Sequence, residues 1–429
     1  MPDFLPAAQL SVSKPITGQG AAEAAIAAQV PVQRSPDGLF NFNARFVSSQ
    51  PGQAVHAASM VELQGGRLRA VWFSGSREGA GDVTIQTSVM NPETLNWSEE
   101  TTLFNRRQLQ QDLWRYVKKL GNPVIARMTD ESLMICMVNV SIGGWAGSSI
   151  TWARSTDEGT SWSTPRRLVT SPFLNISTLV KGAPLFYANG HFGLPVYHEF
   201  VTKFSEVLRI NAQGQVVDKT RIPGSQTSLQ PVILVTGSSN AQMYMRSSSS
   251  TAVMMSTTGD AGQTWSFTQP TRNANPDSAL AGVVTGTGQQ WLALNPSRKN
   301  REVLALLRAS ATGSFDGVRP WIVEATPAPE KLLSVIDYER LLSRELRTHG
   351  ASEMQIQAYV GSAKRQLCGT KTCVQEFSYP YLLQSQDGYL HLIYTWHRSR
   401  IKHIRLDPFQ VLSFNGAEPP GVHVASFAY

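Results

Sequence analysis

The chain has 429 residues, of which 41% are hydrophobic and 16% are charged, as in an ordinary folded protein. It contains no run of about 18 apolar residues, which excludes a membrane-spanning helix. The formal net charge of +7 favours anionic partners, but the chain has no Lys/Arg-rich block, which argues against nucleic acid.

The N-terminal residues 1–38 are rich in Ala, Gln and Pro and predict a poorly packed lead-in to a main domain over residues 39–429. The opening "MPDFLPAAQLSVSKP" lacks the basic start and apolar core of a signal peptide. These residues leave two readings open: a cytoplasmic protein, or a processed form with a new start methionine.

A turn that contains Gly or Asp, followed by a short apolar strand, recurs six times. The copies are "GGRLRAVWFSG", "DESLMICMVNVSIGG", "NGHFGLPVYHEF", "NAQMYMRSS", "GQQWLALNPS" and "DGYLHLIYTWHRS". Their strands begin roughly 50 to 65 residues apart, except for one gap of nearly a hundred. This is the spacing of four-stranded propeller blades, so the sequence predicts an all-β, six-bladed β-propeller.

A second motif, "STDEGTSW" at 155–162, returns as "TGDAGQTW" at 258–265, with weaker copies in "VMNPETLNWS" and "TGSFDGVRPW". Asp and Ser/Thr side chains bond nearby backbone N–H groups, and Gly accepts an unusual φ. We therefore interpret this motif as a structural staple of one hairpin in each blade.

The long gap between the fifth and sixth repeats, residues 326–373, has apolar residues at three- and four-residue spacing. It predicts one or two amphipathic helices inserted between two blades. A second helical segment, "RRQLQQDLWRYVKKLG", precedes the second blade. Cys368 and Cys373 could close a small loop, whereas Cys136 is expected in a buried strand, and neither a metal nor a cofactor is predicted.

The ends of the repeated strands differ in their chemistry, although equivalent ends converge around the axis of a propeller. Guanidinium forks aimed into one cavity suit a carboxylate ligand, and a carboxylate among them can act as acid or base. The residues predicted to meet there are Arg77, Arg246 and Arg301, with Glu78, Asp82 and Glu199 nearby.

The chain resembles the sialidase superfamily, specifically bacterial sialidase-like proteins with Asp-box (BNR) repeats. The resemblance rests on "STDEGTSW" and "TGDAGQTW" as Asp boxes, and on "VHAASMVELQGGRLRAVWFSGSREGAGDV", "SIGGWAGSSI", "LPVYHEFVTKF" and "EFSYPYLL". It implies a retaining glycosidase in which three arginines hold the substrate carboxylate. It further implies that an Asp protonates the leaving group and that a Tyr, activated by a Glu, attacks the anomeric carbon.

By motif, Arg246 and Arg301 are similar to the second and third arginines of the superfamily. Arg77 and Asp82, in "SREGAGD", are similar to the pocket arginine and the acid/base, and Tyr379, in "FSYPYL", to the nucleophile.

Three positions depart from the superfamily pattern. His56 stands where the first arginine is expected, Gln230 stands where the activating Glu is expected, and the late Glu has no counterpart near "IYTWHRS". Glu199 is the predicted replacement base, and the remaining predicted substrate contacts are Glu78, His198 and Asn295.

Three functions follow. The first is an exo-glycosidase that releases a terminal acidic sugar, such as sialic acid or a related nonulosonic or uronic acid. The second is a lyase on uronic-acid glycans in which His56, His198 and Tyr379 handle protons. The third is a glycan-binding propeller without catalysis. The expected partner is an acidic oligosaccharide or glycoconjugate; the superfamily resemblance implies a secreted or periplasmic protein, and the oligomeric state stays open.

Overall fold

The computed structural model describes residues 2–6, 30, 32–326 and 331–409. Six antiparallel sheets follow one another along the chain and form the blades of a ring. The predicted all-β, six-bladed propeller is confirmed.

The N-terminal strands β1 (Val32–Arg34) and β2 (Asn41–Phe46) precede the first blade. From the inner to the outer strand, blade 1 consists of β3 (Ala54–Glu62), β4 (Leu68–Gly75), β5 (Thr84–Met90) and β6 (Thr101–Asn105). Helix α1 (Arg106–Asp112) leads to blade 2, which consists of β7 (Lys119–Arg127), β8 (Leu133–Val140), β9 (Ser148–Ser155) and β10 (Arg166–Arg167). In blade 3, β11 (Leu179–Val180) and β12 (Leu185–Phe186) both pair with β13 (Phe192–His198), which is followed by β14 (Phe204–Ile210) and β15 (Val216–Arg221).

The second half of the ring repeats this order. Blade 4 consists of β16 (Ser228–Val235), β17 (Ala241–Ser247), β18 (Ala252–Thr258) and β19 (Gln269–Ala274). Blade 5 consists of β20 (Ala281–Val284), β21 (Gln290–Leu294), β22 (Val303–Ala309) and β23 (Trp321–Ala325). The insertion contains β24 (Leu333–Ser334), α2 (Val335–Thr348), α3 (Glu353–Leu367) and β25 (Thr372–Cys373). Blade 6 consists of β26 (Phe377–Gln384), β27 (Leu390–Trp396) and β28 (Arg400–Leu406), followed outward by β2 and β1.

The ring closes where the two ends of the chain share a sheet. Strand β2 pairs with β28, with Asn43 opposite Arg405 and Phe46 opposite Lys402. The N-terminal segment thereby supplies the two outer strands of the last blade, which gives β28 a partner on its outer side.

The N-terminal lead-in lies only partly within the described residues, because residues 1, 7–29 and 31 fall outside them. Of the remainder, Val32–Arg34 forms an edge strand, and Phe4 is buried with its ring 5.3 Å from that of Tyr187. These parts of the lead-in pack against the propeller.

The apolar core lies between neighbouring blades. Strands β8 and β27 are buried at every residue, because both faces of these sheets meet another blade. Trp72, Trp291 and Trp396 are fully buried in this layer, and Cys136 lies in β8 as predicted.

The Asp-containing turns join the third and fourth strands of their blades. In blade 2, the Asp157 carboxylate accepts hydrogen bonds from the Ser155 hydroxyl (2.7 Å), the Ser161 hydroxyl (2.6 Å) and the Ser161 N–H (2.9 Å). Gly159 has a φ of 80°, and its carbonyl accepts a bond from the Trp162 ring N–H. This edge of the blades is opposite to the one where the inner strands begin, so the motif acts as a structural staple.

The helical insertion packs against blades 1 and 6. Helix α3 begins with a capping box formed by Ser352 and Gln355, and the disulfide Cys368–Cys373 closes the loop behind it. The Tyr359 hydroxyl donates to the Ser49 carbonyl at 2.8 Å. The insertion is thus a packing arm of the ring.

Candidate active site at the mouth of the propeller

The six inner strands begin on one face of the ring, which we call the mouth. Within four residues of each start, a non-glycine residue has a positive φ of 39–63°; the six are Ala57, Asn122, Ser177, Gln230, Asp277 and Tyr379. In four of the strands, β3, β7, β16 and β26, the pairing register shifts at this point. A bulge re-aims a side chain, and backbone strain of this kind clusters at functional sites.

Tyr379 lies at the centre of a buried polar network. Its hydroxyl oxygen is 3.1 Å from Nε2 of Gln230, which is also 3.3 Å from the Tyr197 hydroxyl. Asn122 donates to the same Tyr197 hydroxyl at 3.2 Å. Amide donors from blades 2 and 4 therefore surround two phenol oxygens from blades 3 and 6.

His56 packs directly against Tyr379, with 4.0 Å between the ring centroids. Burial, followed by the positive charge of Arg398 and Arg301, holds the pKa of His56 well below its usual range. The ring is consequently neutral. Both ring nitrogens are buried, and neither has a hydrogen-bond partner among the described residues.

Arg246 and Arg301 converge on Asp277. Nε of Arg246 lies 3.1 Å from the Asp277 carboxylate, and its Nη1 lies 3.4 Å from the Asp277 carbonyl oxygen. Arg301 donates to that same carbonyl at 3.1 Å. One residue between blades 4 and 5 thus holds two guanidinium groups together.

A third guanidinium, that of Arg398, completes the cluster. Glu376 accepts from Arg301 at 3.4 Å and from Arg398 at 3.0 Å, and Arg398 also donates to Glu78 at 3.0 Å. Burial acts to raise the pKa of the Glu376 carboxyl, but Arg398 and Arg301 outweigh it and hold that pKa below its usual range. Three arginines and three acids therefore alternate along one side of the mouth.

Arg398 lies in the tight turn between β27 and β28. His397 and Arg398 both have positive φ values, 47° and 52°. The Arg398 carbonyl accepts from the N–H of Val55, next to His56, at 3.0 Å. The Tyr338 hydroxyl, on helix α2, lies 3.1 Å from Nδ1 of His397. The helical insertion thus braces the turn that carries Arg398.

Lys181 crosses the axis behind the mouth. Its buried ammonium group donates to the carbonyl of Leu280 at 3.3 Å and to the carbonyl of Pro380. Burial, with a further contribution from Arg246, lowers the pKa of Lys181 to about 7. Because Pro380 follows Tyr379, this lysine ties the tyrosine strand to blades 3 and 5.

Three of the predicted residues lie at the edge of the mouth. Asp82 is exposed and accepts two bonds of 3.0 Å from Ser76, and Arg77 beside it is exposed as well. The Glu199 carboxylate acts electrostatically on Arg246 and Tyr197. Within the described residues, no hydrogen bond joins Glu199 to Tyr379.

Two predicted substrate contacts are occupied by protein groups. His198 lies 3.2 Å from the Glu206 carboxylate and stacks on Phe204, because alternation along β13 turns Tyr197, not His198, toward the tyrosine network. Asn295 is fully buried and bonds to Ser278, Val303 and Phe377. In this structure Asn295 positions the strand that carries Tyr379.

The structure thus brings together His56, Gln230, Arg246, Arg301 and Tyr379, with Glu78 joined to them through Arg398. Sequence reasoning missed further residues of the cluster, namely Asn122, Lys181, Tyr197, Asp277, Glu376 and Arg398. A signal for Arg398 was present, because it ends the sixth repeat, "YTWHRS", at a point equivalent to the ends that carry Arg77 and Arg246.

In the part of the chain that the structure describes, no group of three or more His, Cys, Asp or Glu side chains is arranged to hold a metal ion. No helix within residues 2–6, 30, 32–326 and 331–409 has the length and apolar character needed to cross a bilayer.

Comparisons with known proteins agree with this architecture. Residues 66–392 match the family model of the BNR repeat-like domain. No curated protein sequence gives a significant match.

Solved structures with similar folds include three bacterial or microbial proteins. The Hadza microbial sialidase Hz136 is 12% identical with a TM-score of 0.58, over 83% of this chain and 66% of its own. The intramolecular trans-sialidase from Ruminococcus gnavus is 12% identical with a TM-score of 0.58, over 88% of this chain and 99% of its own. A protein of unknown function from Dyadobacter fermentans is 10% identical with a TM-score of 0.61, over 85% of this chain and 97% of its own. At these identities the similarity shows the fold alone.

Lys181 makes the stability of the native ring depend on pH. An unfolded lysine has a pKa of about 10.4, so from pH 7 to about 10 the unfolded chain binds more protons than the native chain. The free energy of unfolding of the wild type should therefore rise across that window, whereas that of Lys181→Met gains nothing from it. Any stability advantage of the variant over the wild type at about pH 6 should shrink at about pH 9, as measured by urea unfolding.

Lys371→Met, at an exposed position, is the control, and its free energy of unfolding should differ from that of the wild type by the same amount at both pH values. A Lys181→Met difference that is constant or grows with pH would contradict the burial of a titrating ammonium.

Proposed function

The chain belongs to the BNR repeat-like domain family and has the fold of solved sialidases, and from this premise we propose that it is an exo-glycoside hydrolase acting on a terminal acidic sugar. The observation that carries the proposal is the convergence of Arg246, Arg301 and Arg398 on the mouth that contains Tyr379. The sugar is sialic acid or a related nonulosonic or uronic acid.

The arginine cluster suits a carboxylate because guanidinium groups offer paired donors in a planar fork. Each charge-assisted hydrogen bond of this kind contributes about 1.5–3 kcal/mol when both partners are desolvated. Asp277 and Glu376 hold the three guanidinium groups in place without enclosing them, since the Arg246, Arg301 and Arg398 side chains keep 12%, 22% and 22% of their surface exposed. The pre-organised cluster loses little conformational entropy when the sugar binds.

In this proposal Arg398 replaces the first arginine of the superfamily, whose expected position is occupied by His56. A neutral imidazole offers a single donor and no positive charge, so His56 cannot form a bidentate pair with a carboxylate. Arg398 is the charged group that acts most strongly on His56, and its backbone bonds to Val55. The Arg398 guanidinium thus reaches the part of the mouth beside His56 from the β27–β28 turn. The His56 ring would then pack against the bound sugar.

In the proposed reaction, the Tyr379 oxygen forms a bond to the anomeric carbon as the glycosidic C–O bond breaks. Asp82 gives its proton to the leaving oxygen and then takes one from the water that hydrolyses the tyrosyl intermediate, so configuration is retained. The Gln230 N–H and the Arg246 guanidinium face the phenol oxygen and stabilise negative charge there. Glu199, across the mouth, is the proposed acceptor of the phenol proton, and Asp82 must release Ser76 to reach the substrate.

A second function is favoured by one observation. His56 is neutral, buried and without hydrogen-bond partners among the described residues, and it packs on Tyr379. A neutral imidazole can take the C5 proton of a uronic acid while the phenol protonates the leaving oxygen, as the C4–O bond breaks and a C4–C5 double bond forms. This reaction makes the chain a lyase with the same carboxylate clamp.

The two reactions differ in the mass of the product. Acidic glycans that carry terminal sialic or uronic acids, and glycans that contain 4-linked uronic acids, are incubated with the protein in ¹⁸O-labelled water and analysed by mass spectrometry. We expect a released sugar carrying one heavy oxygen, and a rate reduced roughly 10²- to 10⁴-fold in Asp82→Asn. An unsaturated product lighter by one water would assign the lyase. Unchanged turnover in Tyr379→Phe or Glu199→Gln would remove that residue from the mechanism.

The role of Arg398 is tested by removing its guanidinium group and by introducing one at position 56. Arg398→Ala should lower kcat/KM by about 10²-fold, because a charge-assisted pair is lost. Adding His56→Arg should recover at least about tenfold, since the new guanidinium enters the same part of the mouth. Arg340→Ala, on the exposed face of α2, is the control and should leave kcat/KM unchanged. Arg398→Lys keeps a charge beside buried Glu376 and separates a folding defect from a binding defect. An Arg398→Ala variant that is folded and fully active would contradict the role.

A further inference from the structure

Four loops beside the mouth expose large apolar side chains. The exposed fractions are 95% for Trp114, 78% for Ile142, 92% for Phe173, 70% for Leu174, 61% for Phe200 and 84% for Val201. We call these six residues the apolar rim. Single exposed apolar residues are normal, but a group on neighbouring loops marks an interaction surface.

The rim lies on the same face as the tyrosine network. The loops of Trp114 and Phe173 lead into the inner strands β7 and β11. The loops of Ile142 and Phe200 join the second and third strands of blades 2 and 3. Both kinds of loop lie at the edge where inner strands begin, and Phe200 directly follows Glu199. The rim therefore borders the proposed sugar site.

The side chains protrude instead of lining a groove. All six are more than half exposed, Trp114 and Phe173 almost completely, and they come from four loops of two adjacent blades. A groove for a peptide or helix encloses its anchors on both sides. Protruding Trp, Phe and Leu side chains are typical of a surface that inserts into the boundary between lipid headgroups and acyl chains.

The charge of these loops indicates what kind of lipid surface the rim would bind. Residues 113–118, 141–147, 168–178 and 199–203 contain the basic residues Arg115, Lys118 and Lys203 and one acidic residue, Glu199. Lys118 is exposed, and Glu199 acts electrostatically on the mouth residue Arg246. The rim thus combines apolar tips with positive charge, which complements an anionic lipid surface.

We propose that the apolar rim docks the propeller on an anionic lipid bilayer, with the mouth facing the headgroups. Trp114, Phe173 and Phe200 enter the interface, while Lys118 and Lys203 contact lipid phosphates or carboxylates. Docking places acidic headgroup sugars beside the arginine cluster. The inference goes beyond the proposed hydrolysis, because docking requires no turnover.

Vesicle co-sedimentation tests the rim directly. The full chain is mixed with phosphatidylcholine vesicles, with and without phosphatidylserine. We expect binding to the anionic vesicles, and loss of at least about tenfold in affinity for the variant Trp114→Ser, Phe173→Ser, Phe200→Ser. Lys118→Glu with Lys203→Glu should lose most of the dependence on phosphatidylserine. Ile336→Ser with Met354→Ser removes exposed apolar residues from the helical insertion and should bind like the wild type.

Three results would overturn the proposal. The first is equal vesicle binding by the wild type and the rim variant, and the second is no binding to either vesicle. The third is a wild-type dimer that the rim substitutions convert to a monomer without any vesicle binding, which would make the rim a contact between copies of this chain. Cleavage of a soluble sialoside, measured in parallel, separates a failure of docking from a failure of the proposed hydrolysis.

Discussion

The pairing of β2 with β28 is the contact on which the mouth depends. Each blade is a meander that buries its faces only against its neighbours, so an open ring would expose two apolar faces and separate the first inner strand from the last. By joining Asn43 to the strand of Arg405, the chain fixes blade 6 beside blade 1. His56 and Tyr379, which come from these two blades, meet where blade 6 packs against blade 1.

Closure of the ring also brings several positively charged side chains together at the mouth, and acidic side chains placed between them reduce their repulsion. Three guanidinium groups beside a buried ammonium would repel one another in a site with little water. Asp277 contacts both Arg246 and Arg301, and Glu376 contacts both Arg301 and Arg398, so that an acid lies between successive guanidinium groups. Glu376 is itself kept ionised by its two partners. The cluster is therefore held in place in advance of any ligand, as binding a carboxylate requires.

The features that the sequence could predict are those that repeat or that follow a local pattern. The spacing of six apolar strands predicted the blades, and the Asp-Gly-Ser/Thr-Trp turn predicted their staples. Arg246, Arg301 and Tyr379 were found through motifs adjacent to these strands. Neighbouring side chains of a strand point to opposite faces of the sheet. Because Tyr197 bonds to Gln230 in the buried network around Tyr379, His198, the next residue of β13, must point away from that network.

The remaining site residues depend on distances across the ring, which no local pattern encodes. Arg398 serves the part of the mouth beside His56 although 342 positions separate them, because a turn of blade 6 abuts the start of blade 1. Asn295 looks like a ligand contact by its position near Arg301, yet its amide oxygen accepts from Ser278 and its amide N–H groups donate to two neighbouring strands. Lys181 is an ordinary residue in "LVKGAPLF", and only the closed ring shows that it spans the axis.

The most direct measurement is calorimetric binding of an acidic sugar and its neutral ester. N-acetylneuraminic acid and glucuronic acid are each titrated into the wild-type chain beside their methyl esters, which remove the negative charge and keep the ring. The account predicts that at least one acid binds with a Kd at least about tenfold lower than its ester, because the ester cannot form bidentate pairs with the arginines. Equal affinity within both pairs, or no binding of either acid, would contradict a carboxylate clamp at the mouth.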